Sequence, residues 1–115
     1  MARLLWGMIG GGEGSQIGPV HRICSALDAR FGMVAGALDA DPARGKAFAE
    51  HLGIAPGRAY GNWREMLAGE RDRPDRLDLV TVATPNATHY AITKAFLEAG
   101  INVLCEKPMT VTVEE

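Results

Sequence analysis

Residues 4–20 read LLWGMIGGGEGSQIGPV, and this stretch places a glycine-rich turn between two segments of different periodicity. Residues 4–9 form an apolar run interrupted only by Gly7, which is typical of a strand covered on both faces. Gly18-Pro19 then resembles a helix start, because proline favours the first helical position. The helix is predicted to bury one apolar face, made of Val20, Ile23, Cys24 and Leu27. This order of elements predicts the first βα unit of a parallel sheet.

The same alternation of apolar runs and helical spacing continues to residue 105. Further strands are predicted at residues 33–38, near 58–60, at 77–83 and at 101–105. Asp41 and Asn62 are predicted helix N-caps, and Gly53 and Gly100 end helices. Residues 69–76 are interpreted as a polar surface loop. Strands that alternate with helices imply right-handed crossovers, so the predicted fold class is α/β: a doubly wound parallel Rossmann sheet in three α/β/α layers.

Length and composition narrow the possible functions. The 115 residues are 47% hydrophobic and 23% charged with a net charge of −2, as expected for a single soluble globular domain covering 1–115. The absence of a basic block argues against nucleic-acid or membrane partners. No segment suits a signal peptide or a membrane span, which favours the cytoplasm. Cys24 and Cys105 lack metal-ligand spacing, so we expect buried free thiols and no metal site.

The glycine-rich turn is a candidate phosphate site. A helix N-terminus presents unpaired N–H groups, and glycines let the backbone turn tightly beside a pyrophosphate. The G-x-G-x-x-G pattern is met only loosely. Gly10 and Gly12 fit its first two positions, and the third is either Ser15 or, after a lengthened turn, Gly18. A plain flexible loop is the alternative, but the position between a strand and a helix favours nucleotide binding.

An acidic residue at the end of the second predicted strand is the second sign of a dinucleotide site. Asp39 lies there, and its carboxylate can accept both ribose hydroxyls of an adenosine. It would repel a 2′-phosphate, which favours NAD over NADP, although the nearby Arg44 keeps NADP open. Asp41 is interpreted as a helix cap only.

Four segments together resemble the glucose-fructose oxidoreductase / inositol dehydrogenase / MocA family of NAD(P)-dependent oxidoreductases. They are GMIGGGEGSQIGPVHR at 7–22, LDADPAR at 38–44, VATPNATHYA at 82–91 and VLCEKPMT at 103–110. The Glu-Lys-Pro at the end of the last strand is the most family-specific part. The long turn followed by His21-Arg22 resembles one branch of the family, in which His21 could approach the cofactor.

The resemblance implies a cofactor site at the carboxyl ends of the strands. Its implied cofactor-binding residues are Gly10, Gly12, Gly14, Ser15, Gln16, Ile17, Asp39, Thr84, Pro85, Asn86, His89, Glu106 and Pro108. Lys107 is the implied catalytic residue, because an ammonium stabilises a developing alkoxide and can join a proton relay. Glu106 would hold the Lys107 ammonium or meet the cofactor amide. The alternatives are a surface Glu-Lys pair in a turn and, for His89, a capping or packing role.

Family members continue into a second α+β domain with the substrate pocket, a relay Asp and His, and the oligomer interface. The resemblance therefore implies the cofactor half of a longer homo-oligomeric enzyme that oxidises a sugar, inositol or related polyol, and that is inactive as this half alone. One alternative is a non-catalytic dinucleotide sensor on the same fold. Another is a Rossmann domain for CoA or a nucleotide-sugar, against which Asp39 and the Glu-Lys-Pro segment argue.

Overall fold

The computed structural model describes residues 2–115, and within them one four-stranded parallel sheet carries helices on both faces. The strands are β1 Leu4–Gly10, β2 Phe31–Ala37, β3 Leu79–Ala83 and β4 Asn102–Cys105, in the order β2-β1-β3-β4. The helices are α1 Gly18–Ala26, α2 Pro42–His51, α3 Trp63–Glu70 and α4 His89–Glu98. This confirms the doubly wound Rossmann arrangement. None of the helices in the described range is long and apolar enough to cross a membrane.

Two apolar clusters lie on opposite faces of the sheet. One joins α3 and α4 to the sheet and includes Met66, Val80 and Phe96. The other joins α2 to the sheet through Trp6, Met8 and Ala49, among others. The Trp6 indole also donates a buried hydrogen bond of 2.9 Å from β1 to the Thr81 hydroxyl on β3. The central strand is thus tied to its neighbour by a side chain as well as by the backbone.

The strand predicted at residues 58–60 is wrong. Pro56–Arg58 is a single 3₁₀ turn, and Ala59 makes only one bridge to Gly36 of β2. Tyr60 N–H donates to the Gly36 carbonyl at 2.8 Å, so the segment lies beside β2 as expected. It is not a strand because the N–H groups of Arg58 and Ala59 donate within the turn, to the carbonyls of Ala55 and Pro56.

The apolar face predicted for α1 is also on the wrong side. Val20, Ile23 and Leu27 are 49%, 62% and 80% exposed, and Cys24 is exposed as well. The half-buried residues are the polar ones instead, His21, Arg22 and Ser25. The reason is that the start of α1 packs through Gly18 against the glycine-rich turn, and its polar side chains find partners at the carboxyl edge of the sheet, where His21 contacts Glu106 and Arg22 donates to Gly11. The expected burial of the thiols therefore fails at Cys24, while Cys105 is partly buried and free.

Residues 69–76 are not only a surface loop, because they include Glu70, the acidic member of a buried ion pair with Arg58. Glu70, the last residue of α3, is fully buried and accepts from Arg58 Nε at 3.0 Å and from the Tyr60 hydroxyl at 2.7 Å. Arg58 Nη1 also donates to the exposed Asp75 at 3.2 Å. A hydrogen bond from Arg73 is the main reason why the pKa of Asp75 lies below its ordinary value. This network ties the segment after α2 to the end of α3.

Tyr60 makes the stability of the chain sensitive to alkaline pH. Burial, followed by the hydrogen bond to Glu70, raises the pKa of Tyr60 from 10.0 to about 12. The unfolded chain therefore ionises this phenol first. The stability that the raised pKa of Tyr60 adds to the folded state is fully present below pH 10 and is lost as the pH rises through 12. We expect Tyr60→Phe to lose less stability than the wild type over this interval, as measured by urea unfolding. Parallel pH dependences in the two proteins would contradict this assignment.

Candidate functional site

A cleft of about 460 Å³ opens at the carboxyl ends of β1, β2 and β3. Its floor is apolar, with Ile9, Ala37 and Leu38. Polar groups reach it from three separate segments: Ser15 of the glycine-rich turn, Asp39 after β2, and Thr84 after β3. The segment before α3 closes one side with Gly61, Asn62 and Trp63. An apolar cleft with a few convergent polar groups is the usual form of a small-molecule site.

The glycine-rich turn is built for close approach of the backbone to α1. Gly10 and Gly11 have φ of 74° and 68°, a region that side chains disfavour. A Cβ atom at Gly18 would overlap the carbonyl oxygen of Gly11, so Gly18 allows the first turn of α1 to lie against the loop. Of the two candidates for the third small residue, Gly18 therefore has the close-packing role. Ser15 Oγ instead accepts the Gly18 N–H at 2.9 Å.

The predicted residues of the turn divide into two groups. Gly10 and Ser15 line the cleft, together with Gly11, which was not among the predicted site residues. Gly12 is buried against the Leu38 carbonyl and gives the turn its shape. The remaining three lie on the exposed or half-open tip and do not line the cleft; they are Gly14, Gln16 and Ile17.

Asp39 lies in the cleft with one carboxylate oxygen already held. Its Oδ1 accepts the Asp41 N–H at 2.9 Å, and its Oδ2 is 3.5 Å from Arg44 Nε. Arg44 also donates from Nη2 to the Glu13 carbonyl at 3.2 Å. It therefore bridges the glycine-rich turn and Asp39 across the opening. A carboxylate, which can accept hydroxyl hydrogen bonds, and a guanidinium, which can attract a phosphate, thus stand side by side.

The segment after β3 forms the next part of the rim. Thr84 and Pro85 line the cleft, whereas Asn86 begins a 3₁₀ turn at the exposed edge. His89 opens α4 and is almost fully buried below them. Its Nε2 lies 2.8 Å from the Thr84 carbonyl and its Nδ1 lies 2.6 Å from the Pro108 carbonyl. The structure therefore gives His89 a packing and cross-linking position outside the cleft.

The Glu-Lys-Pro segment follows β4 beside this rim. Glu106 N–H donates to the Val82 carbonyl at 3.0 Å, which continues the pairing of the two strands. The Lys107–Pro108 peptide bond is cis, and the side chain of Lys107 is exposed. None of the three residues lines the cleft, but the His89 bridge ties Pro108 to Thr84 at its edge.

Besides Gly11, Arg22 and Trp63 were not among the predicted site residues, although Arg22 contacts the glycine-rich turn and Trp63 lines the cleft. Arg22 Nη1 donates to the Gly11 carbonyl at 2.6 Å, and its guanidinium lies 5.2 Å from the centre of the Phe48 ring. Burial lowers the pKa of Arg22. No sequence motif marks Trp63, whereas Arg22 belongs to the His21-Arg22 pair of the family resemblance and lies on α1. The described residues include no cluster of three metal-ligating side chains.

A parallel sheet with a glycine-rich first turn, a cleft across three strand ends and an acid after β2 defines the class of nucleotide-binding Rossmann domains. The sequence model of the oxidoreductase family with the NAD-binding Rossmann fold matches residues 4–115. The chain therefore belongs to the glucose-fructose oxidoreductase / inositol dehydrogenase / MocA family, as the four motifs predicted.

Relatives agree with this assignment over nearly the whole chain. An oxidoreductase of Bacillus subtilis, YfiI, is 49% identical over 113 residues, which are 97% of this chain and 29% of that protein. D-xylose 1-dehydrogenase (NADP(+)) 2 of Haloferax volcanii is 35% identical over 84% of this chain and 27% of its own length. The crystal structure of an inositol dehydrogenase homolog from Azotobacter vinelandii, complexed with NADH and myo-inositol, has a TM-score of 0.94 and 50% identity. This chain covers 30% of it, with 97% of its own residues aligned.

Proposed function

We propose that the chain is the NAD-binding domain of a longer oxidoreductase that moves a hydride between a nicotinamide cofactor and a hydroxyl of a sugar, inositol or related polyol. The observation that carries this proposal is the single cleft shared by Ser15, Asp39 and Thr84 at the carboxyl edge of the sheet. A relative of 50% identity is complexed with NADH and myo-inositol, which supports both the cofactor and the substrate class.

In this proposal each part of the cleft holds one part of the dinucleotide. The N–H groups of the glycine-rich turn and the start of α1 receive the pyrophosphate, and Asp39 receives the adenosine ribose. Thr84 and Pro85 line the path toward the nicotinamide, which supplies the hydride acceptor when it is bound. The neighbouring Arg44 makes NADP an acceptable second cofactor, since it stands 3.5 Å from the Asp39 carboxylate.

Lys107 is the proposed catalytic residue. Its ammonium stabilises the alkoxide that develops as the substrate hydroxyl loses its proton to the proposed relay, which the amine of Lys107 can join. Its exposed side chain beside the cleft leaves room for substrate on that side. A cation at this place favours an enzyme over a non-catalytic dinucleotide sensor, which has no use for it.

The relay partners, the substrate pocket and the oligomer contacts are proposed to lie in a second, C-terminal domain. Two observations support this: the chain spans only 29% of its Bacillus relative, and α1 presents an apolar face to solvent. Residues 1–115 would then bind the cofactor without turnover. We further propose a homo-oligomer in the cytoplasm, with no nucleic-acid or membrane partner.

Titration with dinucleotides tests the proposal directly. The chain is expected to bind NADH, with quenching of Trp63 at the edge of the cleft, and to show no response to CoA. Trp63→Phe is the matched control, because it leaves the buried Trp6 as the remaining indole. Absence of binding to both NADH and NADPH would remove the proposal.

The proposed contact of Asp39 with the ribose can be separated from its hydrogen bond with the Asp41 N–H. Asp39→Asn keeps an oxygen for the Asp41 N–H but removes the charge, so NADH affinity is expected to fall about tenfold. NADPH affinity is not expected to fall, because the 2′-phosphate no longer meets a carboxylate. Calorimetry measures both, with Asp28→Asn as an exposed control far from the cleft. Equal losses for the two cofactors contradict the ribose assignment.

A further inference from the structure

The polar face of α1 reaches the Glu-Lys-Pro segment through one direct contact. His21 Nε2 lies 2.8 Å from Glu106 Oε1, although the two residues are 85 positions apart in the chain. Both side chains are largely shielded from water, with 16% and 24% exposed. Because a carboxylate oxygen only accepts, His21 carries its proton on Nε2 in this hydrogen bond.

Glu106 uses its other oxygen on the neighbouring backbone. Its Oε2 accepts the Lys107 N–H at 3.2 Å, while its own N–H is bound to Val82. Each carboxylate oxygen thus already has a donor, and neither donor is the Lys107 ammonium. Glu106 therefore does not hold the Lys107 ammonium in this structure. Its other predicted role, a contact with the cofactor amide, stays a prediction, because a carboxylate oxygen can accept a second hydrogen bond.

The neighbouring cation on the polar face of α1, Arg22, does not compete for this carboxylate. Arg22 is directed to the Gly11 carbonyl and to the Phe48 ring. His21 is therefore the side chain of α1 that holds Glu106. The contact runs from α1 to Glu106 and from Glu106 to the backbone of Lys107.

We propose that His21 is a positioning residue for Lys107, acting through the carboxylate of Glu106. The contact fixes the rotamer of Glu106, and this carboxylate then fixes the backbone from which the Lys107 side chain projects. The value of the contact for catalysis rests on the function proposed for Lys107. The contact itself can be measured in the 115-residue chain without any cofactor.

The first test follows the Lys107 amide by nuclear magnetic resonance. His21→Leu is expected to speed hydrogen exchange at this amide about fivefold or more, since one hydrogen bond to a charged group is lost. His21→Gln, whose amide can place an N–H near the Nε2 position, is expected to restore protection. Ser25→Ala is the control on the same side of α1, because Ser25 bonds only to the Arg22 carbonyl.

A double-mutant cycle with Glu106→Gln distinguishes positioning from general loosening of the fold. His21→Leu and Glu106→Gln together are expected to change Lys107 exchange no more than either change alone. Additive effects, or a failure of His21→Gln to restore protection, would overturn the proposal.

The catalytic consequence is measured in the longer oxidoreductase. His21→Leu is expected to lower kcat about fivefold with little change in the KM for NAD, and His21→Gln is expected to recover it. Unchanged kcat despite lost amide protection would overturn the catalytic part. Failure of the wild-type chain to bind NADH would instead remove the proposed function and leave the result of the amide cycle standing.

Discussion

Replacing Glu70 with alanine is expected to destabilise the folded chain by about 3–5 kcal/mol, because it leaves a buried cation without its main partner. Glu70 is fully buried and holds both Arg58 and Tyr60. The Arg58 side chain is only 10% exposed, and it would keep just Asp75 at the surface. Since small domains are stable by about 5–15 kcal/mol, this single change removes a large share of the total.

Urea unfolding followed by far-ultraviolet circular dichroism measures the loss. Tyr60→Phe removes one hydrogen bond to Glu70 and is expected to cost about 1.5–3 kcal/mol at most. Asp75→Asn, which changes an exposed partner of the same arginine, is expected to cost far less than Glu70→Ala, because solvent screens this ion pair. If Glu70→Ala were no more harmful than Asp75→Asn, the buried pair would not be a main source of stability.

In the proposed longer oxidoreductase, Lys107→Met is expected to lower kcat by about 10²–10⁴-fold, the usual contribution of a positioned acid–base group. Methionine keeps the length and apolar stem of the side chain and removes only the charge and the N–H donors. Binding of NADH by the 115-residue chain is expected to change little, because Lys107 lies outside the cleft.

Steady-state kinetics at saturating cofactor measures this effect, and Lys46→Met is the control. Lys46 is an exposed lysine on α2, away from the carboxyl-edge cleft. A kcat that stays within a few-fold of the wild type would show that another group stabilises the alkoxide, and Lys107 would lose its catalytic assignment.

Most of the fold could be predicted from the alternation of apolar runs and helical spacing. All four strands lie within two residues of their predicted bounds, since a strand buried on both faces leaves an unbroken apolar run. The fifth prediction, at 58–60, failed because one bridge beside β2 leaves the same short apolar signal as a strand.

The orientation of α1 could not be predicted from its periodicity. The spacing of Val20, Ile23 and Leu27 identifies one apolar face, but it does not say whether that face meets the sheet. Here α1 half-buries polar side chains that have partners within the chain: His21 contacts Glu106, and Arg22 donates to the Gly11 carbonyl. Hydrophobic periodicity assumes that burial is always apolar, and this assumption fails next to a site.

Sequence motifs identified residues that line the cleft. They did not identify contacts between side chains that are far apart in the sequence. Ser15, Asp39 and Thr84 follow strand ends, and strand ends of a parallel sheet converge at one edge. The contacts of His21 with Glu106 and of Arg58 with Glu70 follow no motif. Their partners are set by how the helices pack, which a single sequence does not record.

The central position of β1 has a consequence for synthesis on the ribosome. Trp6 of β1 and its partner Thr81 of β3 are 75 positions apart, so one edge of β1 has no partner until that length has been made. At roughly 5–20 residues per second, this interval lasts on the order of 4–15 s. During this time β1 can pair with β2 alone, and its other edge is open to wrong partners. The Trp6 indole donates a buried hydrogen bond to Thr81 of β3, so its fluorescence can report when β3 has joined the sheet.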